Sequence, residues 1–294
     1  MRDRKSFGDD LMDYQSKFLK VTVHQPSNSP ALRAFCVGFE QGLWRGEDFI
    51  KHLIKNHLVS FVLPPEEAEN VNASNAGSYL ARAAQSIYTS EKPEKRGEIG
   101  ELILYSIMLE HFNAVPLISK FYYKTHSNDT VKGFDSVHVT LTGDGSVNLW
   151  LGEVKFYKSI DGAIKDVVSE LNDHFQAKYL RSEFMWIENK INDGNEYKRK
   201  LEAMLDRANS LDDIINSIHV PVFLTYESKL YANATKSTAE FKEQVEAEIR
   251  GIYDKFTGKD IPDLNIHLIL LPLQDKSVLV SNFDYKLKAL QELF

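Results

Sequence analysis

Glu153 and Lys155 stand two positions apart in the stretch LGEVKFY (151–157), which otherwise has the apolar character of a β-strand. Side chains two positions apart in a strand point to the same face of a sheet. Burying an unpaired charge is costly, so charged residues in such a strand need partners or a use. A second acid, Asp135, lies in the preceding β-like stretch FDSVHVTL (134–141). Acids that hold a metal ion, with a lysine beside them, form the residue set of a phosphodiester-hydrolysis site.

The turn between the two strands decides whether the acids meet. The segment TGDGS (142–146) is a glycine-rich reversal typical of a tight hairpin. A three-residue loop, 143–145, would place Asp135 directly opposite Glu153, with Cβ atoms about 5 Å apart and Lys155 on the same face. A two-residue turn would shift the register by one position and send Asp135 to the other face.

Two carboxylates that face each other repel unless a cation lies between them. Mg²⁺, or Mn²⁺ in its place, takes oxygen ligands of this kind together with water and substrate phosphate. A lysine beside the ion can orient or help deprotonate the attacking water. The acid-x-lysine pattern alone is unspecific, because it occurs seven times in the chain, but only Glu153–Lys155 lies inside an apolar strand after such a hairpin. The alternative is a charged pair at the edge of an ordinary sheet.

Apolar periodicity predicts the elements that would position these residues. Strands are predicted at 17–24, 32–39, 115–124, 134–141, 147–157, 219–227 and 264–273. Helices are predicted at 46–63, 76–88, 96–112, 160–176, 237–253 (opened by a serine cap) and 283–293, with a charged helical region over 183–215. This order predicts an α/β fold, a mixed central sheet flanked by helices. The polar break 89–95 divides the chain into an N-terminal α+β region, 1–90, and a second unit, 91–294.

Composition limits the possible partners. The 294 residues carry a formal net charge of −7, whereas free-standing nucleic-acid binders usually present a basic surface. Any contact with DNA is therefore expected to be local and metal-assisted, or to depend on a partner that delivers the strand. Cys36 is the only cysteine, and we find neither an apolar run that could span a bilayer nor a signal-like start, which favours a cytoplasmic protein without membrane contact.

Residues outside this hairpin give weaker indications of function. Lys124 ends a run of aromatic and basic residues, 120–124, that could track a nucleic-acid strand. Lys158 and Gln176 follow the acid-x-lysine motif and could contact phosphate; for all three, a solvated surface is the alternative. The nine histidines show no HExxH motif and no ligand cluster, and the chain has no GxxxxGK[ST] motif for ATP hydrolysis.

Four segments together resemble a known family. They are RGEIGELILYSI (96–107), GFDSVHV (133–139), LGEVKFYKS (151–159) and IHVPVFLTYES (218–228). Their order resembles the PD-(D/E)xK restriction-endonuclease-like core and, more closely, the HamA family of the Hachiman antiphage defence system, over roughly residues 75–275. The resemblance implies a Mg²⁺-dependent deoxyribonuclease in bacteria whose partner is a superfamily-2 helicase, HamB-like, with residues 1–90 as an N-terminal extension suited to docking that partner.

The resemblance also assigns roles to individual residues. It implies that Asp135 and Glu153 bind the metal together with the main-chain carbonyl of Val154, and that Lys155 positions the water. It also implies an acid from the helix 96–112, either Glu101 or Glu98.

One position departs from the family pattern, because Phe134 stands where the core has a proline before its acid. The alternative from another functional class is a non-catalytic interaction subunit, whose nuclease-like fold docks and regulates the helicase.

Overall fold

A seven-stranded sheet organises this computed structural model, which describes residues 17–87, 97–118, 133–191 and 194–292. The strands are β1 (Lys20–Gln25), β2 (Ala31–Cys36), β3 (Phe39–Glu40), β4 (Leu43–Trp44), β5 (Val115–Pro116), β6 (Ser136–Leu141), β7 (Val147–Phe156), β8 (Ile218–Glu227) and β9 (Asn265–Leu273). The sheet order is β1-β2-β9-β8-β7-β6-β5, and β3 and β4 form a separate ribbon. The pairs β2–β9, β9–β8 and β8–β7 are parallel and the others are antiparallel, so the predicted mixed sheet is confirmed.

Helices cover both faces of this sheet. They are α1 (Gly46–Asn56), α2 (Leu58–Val62), α3 (Pro65–Ala68), α4 (Ala76–Ser86), α5 (Glu98–Phe112), α6 (Ile160–His174), α7 (Ala177–Lys190), α8 (Lys198–Leu205), α9 (Leu211–Ile214), α10 (Lys229–Ala232), α11 (Ala239–Thr257) and α12 (Lys276–Gln291), with a 3₁₀ turn at Ile215–Ser217. In the described part of the chain, no helix combines the length and the apolar character needed to cross a membrane.

The central strands are buried on both faces, which explains their nearly continuous apolar sequences. All ten residues of β7 except Asn148 are buried. Helix α5 approaches one face of β7 so closely that a Cβ atom on Gly100 would lie 2.7 Å from Cβ of Phe156 and 2.8 Å from Cγ1 of Val154. Because side chains alternate along a strand, Glu153 and Lys155 point to the opposite face, where α6 packs.

Strands β1 and β2 of the N-terminal region belong to the same seven-stranded sheet as the strands that follow residue 97. Residues 31–34 of β2 pair in parallel with residues 267–270 of β9. Leu32 and Phe35 are buried in the same apolar core as Phe223 and Leu268. The predicted boundary at residue 90 falls among residues 88–96, outside the described residues, so the division into 1–90 and 91–294 stays a prediction.

Among the element boundaries that differ from the sequence-based predictions, three have a local cause in the structure. The helix predicted over 46–63 is divided at His57, whose φ of −124° and ψ of −23° end α1 and begin α2. Helix α11 is capped by Thr238, which accepts a hydrogen bond from the Phe241 amide, one residue after the predicted serine cap. Helix α12 begins at Lys276 rather than at 283, because the Asp275 carboxylate caps it by accepting from the Ser277 amide.

Candidate active site

The hairpin between β6 and β7 has the three-residue loop, the first of the two alternatives that the sequence leaves open. The Thr142 amide donates to the Ser146 carbonyl at 2.9 Å, and pairing runs regularly from Leu141–Val147 to Ser136–Gly152. Gly145 has a φ of +82°, a conformation that glycine adopts without steric cost. The register with an odd loop is therefore confirmed, and the two-residue turn is excluded.

Asp135 departs from this register by one step. Its amide donates to the Gly152 carbonyl at 2.8 Å, although Gly152 is already the ladder partner of Ser136. Two residues facing one is the arrangement of a β-bulge, which re-aims side chains at the ends of strands. The prediction that Asp135 lies directly opposite Glu153 was therefore wrong by one position. The Asp135 carboxylate instead accepts a hydrogen bond of 2.9 Å from the amide of Val154, one residue beyond Glu153.

Glu153 is a buried carboxyl group beside other acids. It is 2% exposed, and its Oε1 lies 2.6 Å from Nδ1 of His174. Burial raises the pKa of Glu153 to about 7, and the negative charges of Asp135 and Glu170 act in the same direction against the hydrogen bond from His174. That hydrogen bond raises the pKa of His174 in turn.

Lys155 lies on the same face of β7 and is also buried. It is 7% exposed, and its ammonium forms an ion pair with Oε2 of Glu170. An ammonium held by a carboxylate next to a buried acid is placed to orient a polar group that enters the site.

Glu170 and His174 are the site residues that sequence reasoning missed. They lie one turn apart on α6, and the ring of His174 stacks on Tyr179 with centroids 4.4 Å apart. Buried Ala163 and Val167 precede them at helical spacing, so all four residues share the face of α6 that packs on the sheet. This spacing could have indicated the two residues, because Glu170 and His174 continue the apolar face of the helix with polar side chains.

Helix α5 approaches the site from the other side of β7. Glu98 and Glu101 lie in its first turn on either side of Gly100, the residue that contacts the strand, and one carboxylate oxygen of Glu101 is buried. The backbone of both acids therefore lies on the face of β7 opposite to the Glu153 side chain. A role for either of them as the helix acid stays a prediction.

Comparison of the chain with protein-family models gives one match. The family model HamA matches residues 12–287, nearly the whole chain. The chain belongs to the HamA family. It is therefore a component of the Hachiman antiphage defence system. A search of curated proteins found no match.

The three predicted DNA-contacting residues of this HamA family member have different surroundings. Lys158 is exposed, and its ammonium lies 3.1 Å from Oε1 of Glu227. Gln176 is exposed at the residue before α7. Lys124 lies outside the described residues. The surroundings of Lys158 and Gln176 do not test DNA binding, so all three assignments stay predictions.

The donor set fits a hard divalent cation. Asp135 and Glu153 supply carboxylate oxygens, and the Val154 main chain lies against the Asp135 carboxylate. Mg²⁺ and Mn²⁺ prefer oxygen ligands. Burial and the negative charges of Asp135 and Glu170 raise the pKa of Glu153, and a bound cation would favour the ionised carboxylate.

Proposed function

We propose that this HamA family member is a metal-dependent DNA nuclease, the effector of a two-component antiphage defence complex with a helicase. The observation that carries the proposal is the burial of Glu153 and Lys155 on one face of an otherwise apolar strand, with the charge of Asp135 acting on Glu153. Charges are buried at a cost that an ordinary sheet avoids, so their placement here favours a chemical use. A PD-(D/E)xK core is compatible with the mixed sheet and its flanking helices.

Each residue has a role in phosphodiester hydrolysis. Asp135 and Glu153 would hold Mg²⁺ or Mn²⁺, with the Val154 carbonyl and Glu101 or Glu98 as further ligands. The bound ion supplies Lewis-acid polarisation of the scissile phosphate and a more acidic water. Lys155 orients the attacking water, and Glu170 fixes the direction of the lysine side chain. His174 holds Glu153 in place through its hydrogen bond.

The helicase partner accounts for two properties that this chain lacks in its sequence. A net charge of −7 does not favour DNA affinity, and the chain carries no GxxxxGK[ST] motif. We infer that the partner supplies both the DNA strand and the dependence on ATP. Tight binding of DNA by this chain alone at physiological salt would contradict this division of labour.

The test is degradation of plasmid and linear DNA by the chain co-purified with its helicase partner, with ATP and Mg²⁺. We expect Glu153→Gln and Lys155→Ala each to reduce the rate on the order of 100-fold or more, because each removes a group that acts at the reacting phosphate. The matched controls are Glu240→Gln and Lys242→Ala, which have the same acid-x-lysine spacing on exposed positions of α11. Both controls should degrade DNA at the wild-type rate.

Assembly of each variant with the helicase is checked first by size-exclusion chromatography. If the assembled wild-type complex degrades no DNA, or the two site variants degrade it as fast as the controls, the nuclease assignment is wrong. The non-catalytic docking subunit then becomes the better description of this chain.

A further inference from the structure

Three side chains of metal-binding type converge far from the candidate active site. His52 lies on α1, His57 at the break between α1 and α2, and Glu110 near the end of α5. Oε1 of Glu110 lies 2.6 Å from Nε2 of His52 and 2.8 Å from Nε2 of His57, and the three ligand atoms lie within 4.8 Å of one another. The sequence-based expectation of no histidine ligand cluster was therefore wrong. Glu110 is 53 positions from His57, which no linear motif reveals.

The chemistry of this set matches zinc better than magnesium. Zn²⁺ binds imidazole nitrogen and carboxylate oxygen at about 2.0 Å in a tetrahedron, which separates neighbouring ligand atoms by about 3.3 Å. The observed separations of 2.6 and 2.8 Å between the Glu110 oxygen and the two imidazole nitrogens would need to widen by about 0.5–0.7 Å. Mg²⁺ favours sites built from oxygen ligands, and two imidazoles do not provide one.

The cluster is closed to solvent. The side chains of His57, Glu110 and His52 are 1%, 5% and 10% exposed. A closed site with protein ligands is typical of structural zinc, whereas catalytic zinc keeps an open position for substrate.

The residues around the cluster suit a bound ion. Nδ2 of Asn56 lies 2.9 Å from Nδ1 of His52. A zinc-bound His52 would carry its proton on Nδ1, and a 180° turn of the Asn56 amide would present the amide oxygen as the acceptor for it. Nε2 of His111 is buried without a hydrogen-bond partner among the described residues, 4.0 Å from Oε2 of Glu110. That nitrogen is available for a fourth position after a small movement of its ring.

We propose that His52, His57 and Glu110 bind a Zn²⁺ ion that fixes α1 and α2 to α5. The site is separate from the candidate active site and does not depend on nuclease activity. Its expected effect is structural: the ion joins the N-terminal helices to the helix that carries Glu98 and Glu101 at its other end. Because a ligand that binds the folded state alone stabilises it, removal of zinc should lower the melting temperature.

The test measures metal in the full-length chain, purified without chelators from zinc-supplemented cells and dialysed against buffer containing Mg²⁺. We expect about one zinc per chain by mass spectrometry of the metal content. Co²⁺ added to the zinc-stripped protein should give the visible absorption bands of a tetrahedral site. Glu110→Gln should lose both signals, whereas Glu153→Gln, which alters the candidate active site, should keep both.

Glu110→Gln can destabilise the protein because it changes a buried group. His52→Asn is therefore the second variant, since His52 lies at the more exposed side of the cluster. This variant should remain folded by circular dichroism and lose zinc on dialysis. A wild-type chain without zinc and without Co²⁺ absorption would overturn the proposal in favour of a hydrogen-bonded His–Glu–His cluster. Zinc that is retained by the folded His52→Asn and Glu110→Gln variants, or lost from Glu153→Gln alone, would overturn it as well.

Discussion

The buried ammonium of Lys155 lies between the sheet and α6, where it forms an ion pair with the Glu170 carboxylate. The side chain of Lys155 is 9% exposed and that of Glu170 is 38% exposed. We expect a double-mutant cycle with Lys155→Met and Glu170→Gln to give a coupling energy of about 1 kcal/mol or more, because removing Glu170 leaves the buried ammonium of Lys155 without its partner. The measurement is urea unfolding in metal-free buffer.

A matched control for this cycle is the ion pair between Asp161 and Lys255, which also involves α6. Its atoms lie 3.1 Å apart, but the side chains are 76% and 57% exposed. Such pairs contribute little, so Asp161→Asn and Lys255→Met should couple by about 0.5 kcal/mol or less. Equal coupling in the two pairs would mean that burial does not distinguish Lys155.

His138 predicts how stability changes with pH. It is 1% exposed, neither ring nitrogen has a hydrogen-bond partner among the described residues, and burial lowers its pKa to about 3. The unfolded chain binds a proton at this residue below about pH 6.5 and the folded chain does not, so stability is lost as the pH falls. From pH 7.5 to 5.5, this one group should remove about 1.4 kcal/mol from the free energy of unfolding.

The variant His138→Phe should lack this loss. Urea unfolding of both proteins at the two pH values measures the difference, and an unchanged m value serves as the control that the extent of unfolding is the same. Parallel pH dependence in wild type and variant would contradict a neutral, unpartnered imidazole at this position.

How far the site could be predicted from the sequence depends on the sequence separation of its parts. The hairpin register follows from a local turn, so the neighbourhood of Asp135, Glu153 and Lys155 was predictable. The bulge at Asp135 was not, because it depends on a bond between its carboxylate and the Val154 amide. Glu170 and His174 reach the site through the packing of α6, which periodicity indicates only as a face.

At the scale of elements, the approach of α5 to β7 requires glycine at position 100. A Cβ atom there would lie under 3 Å from Val154 and Phe156 side chains, so Gly100→Ala forces the helix outward. Overpacking of this kind typically costs about 1–3 kcal/mol. We also expect slower DNA degradation by the helicase complex than the stability loss explains, because the neighbouring Glu101 moves with the helix.

Gly251→Ala is the control for this prediction. Gly251 lies on an exposed position of α11, and an added Cβ atom would have no neighbour within 4 Å. Alanine there should stabilise the protein by about 0.5–1 kcal/mol, measured by urea unfolding. If both substitutions stabilise the chain, α5 does not pack as closely against β7 as the structure indicates.

Element boundaries were harder to predict than the elements themselves, and α12 shows the reason. Its first turns contain Val278 and Val280, which have low helix propensity, yet Leu279 and Val280 are buried in the core. The break at His57 was missed for a similar reason. Apolar residues such as Ile50, Leu53 and Leu58 occur on both sides of His57, so periodicity alone indicates one continuous helix. The break places His57 next to Glu110, a tertiary contact that local periodicity does not contain.

At the scale of the whole molecule, the N-terminal region forms part of the sheet that carries the site. Without β2, strand β9 would become an exposed, apolar edge strand. We therefore expect residues 17–87 to unfold together with the remainder in one cooperative transition. The three tryptophans permit a direct test, because Trp44 lies in the N-terminal region and Trp150 in β7.

The test compares urea unfolding of two single-tryptophan chains by fluorescence. One keeps Trp44 and carries Trp150→Phe and Trp186→Phe; the other keeps Trp150 and carries Trp44→Phe and Trp186→Phe. Circular dichroism of each chain controls for the stability cost of its substitutions. If fluorescence and circular dichroism coincide in both chains, residues 17–87 are an integral part of the fold, and any docking surface that they present is rigidly connected to β7. A Trp44 transition at lower urea than the loss of secondary structure would instead make that region a separate unit, as the polar break 89–95 predicts.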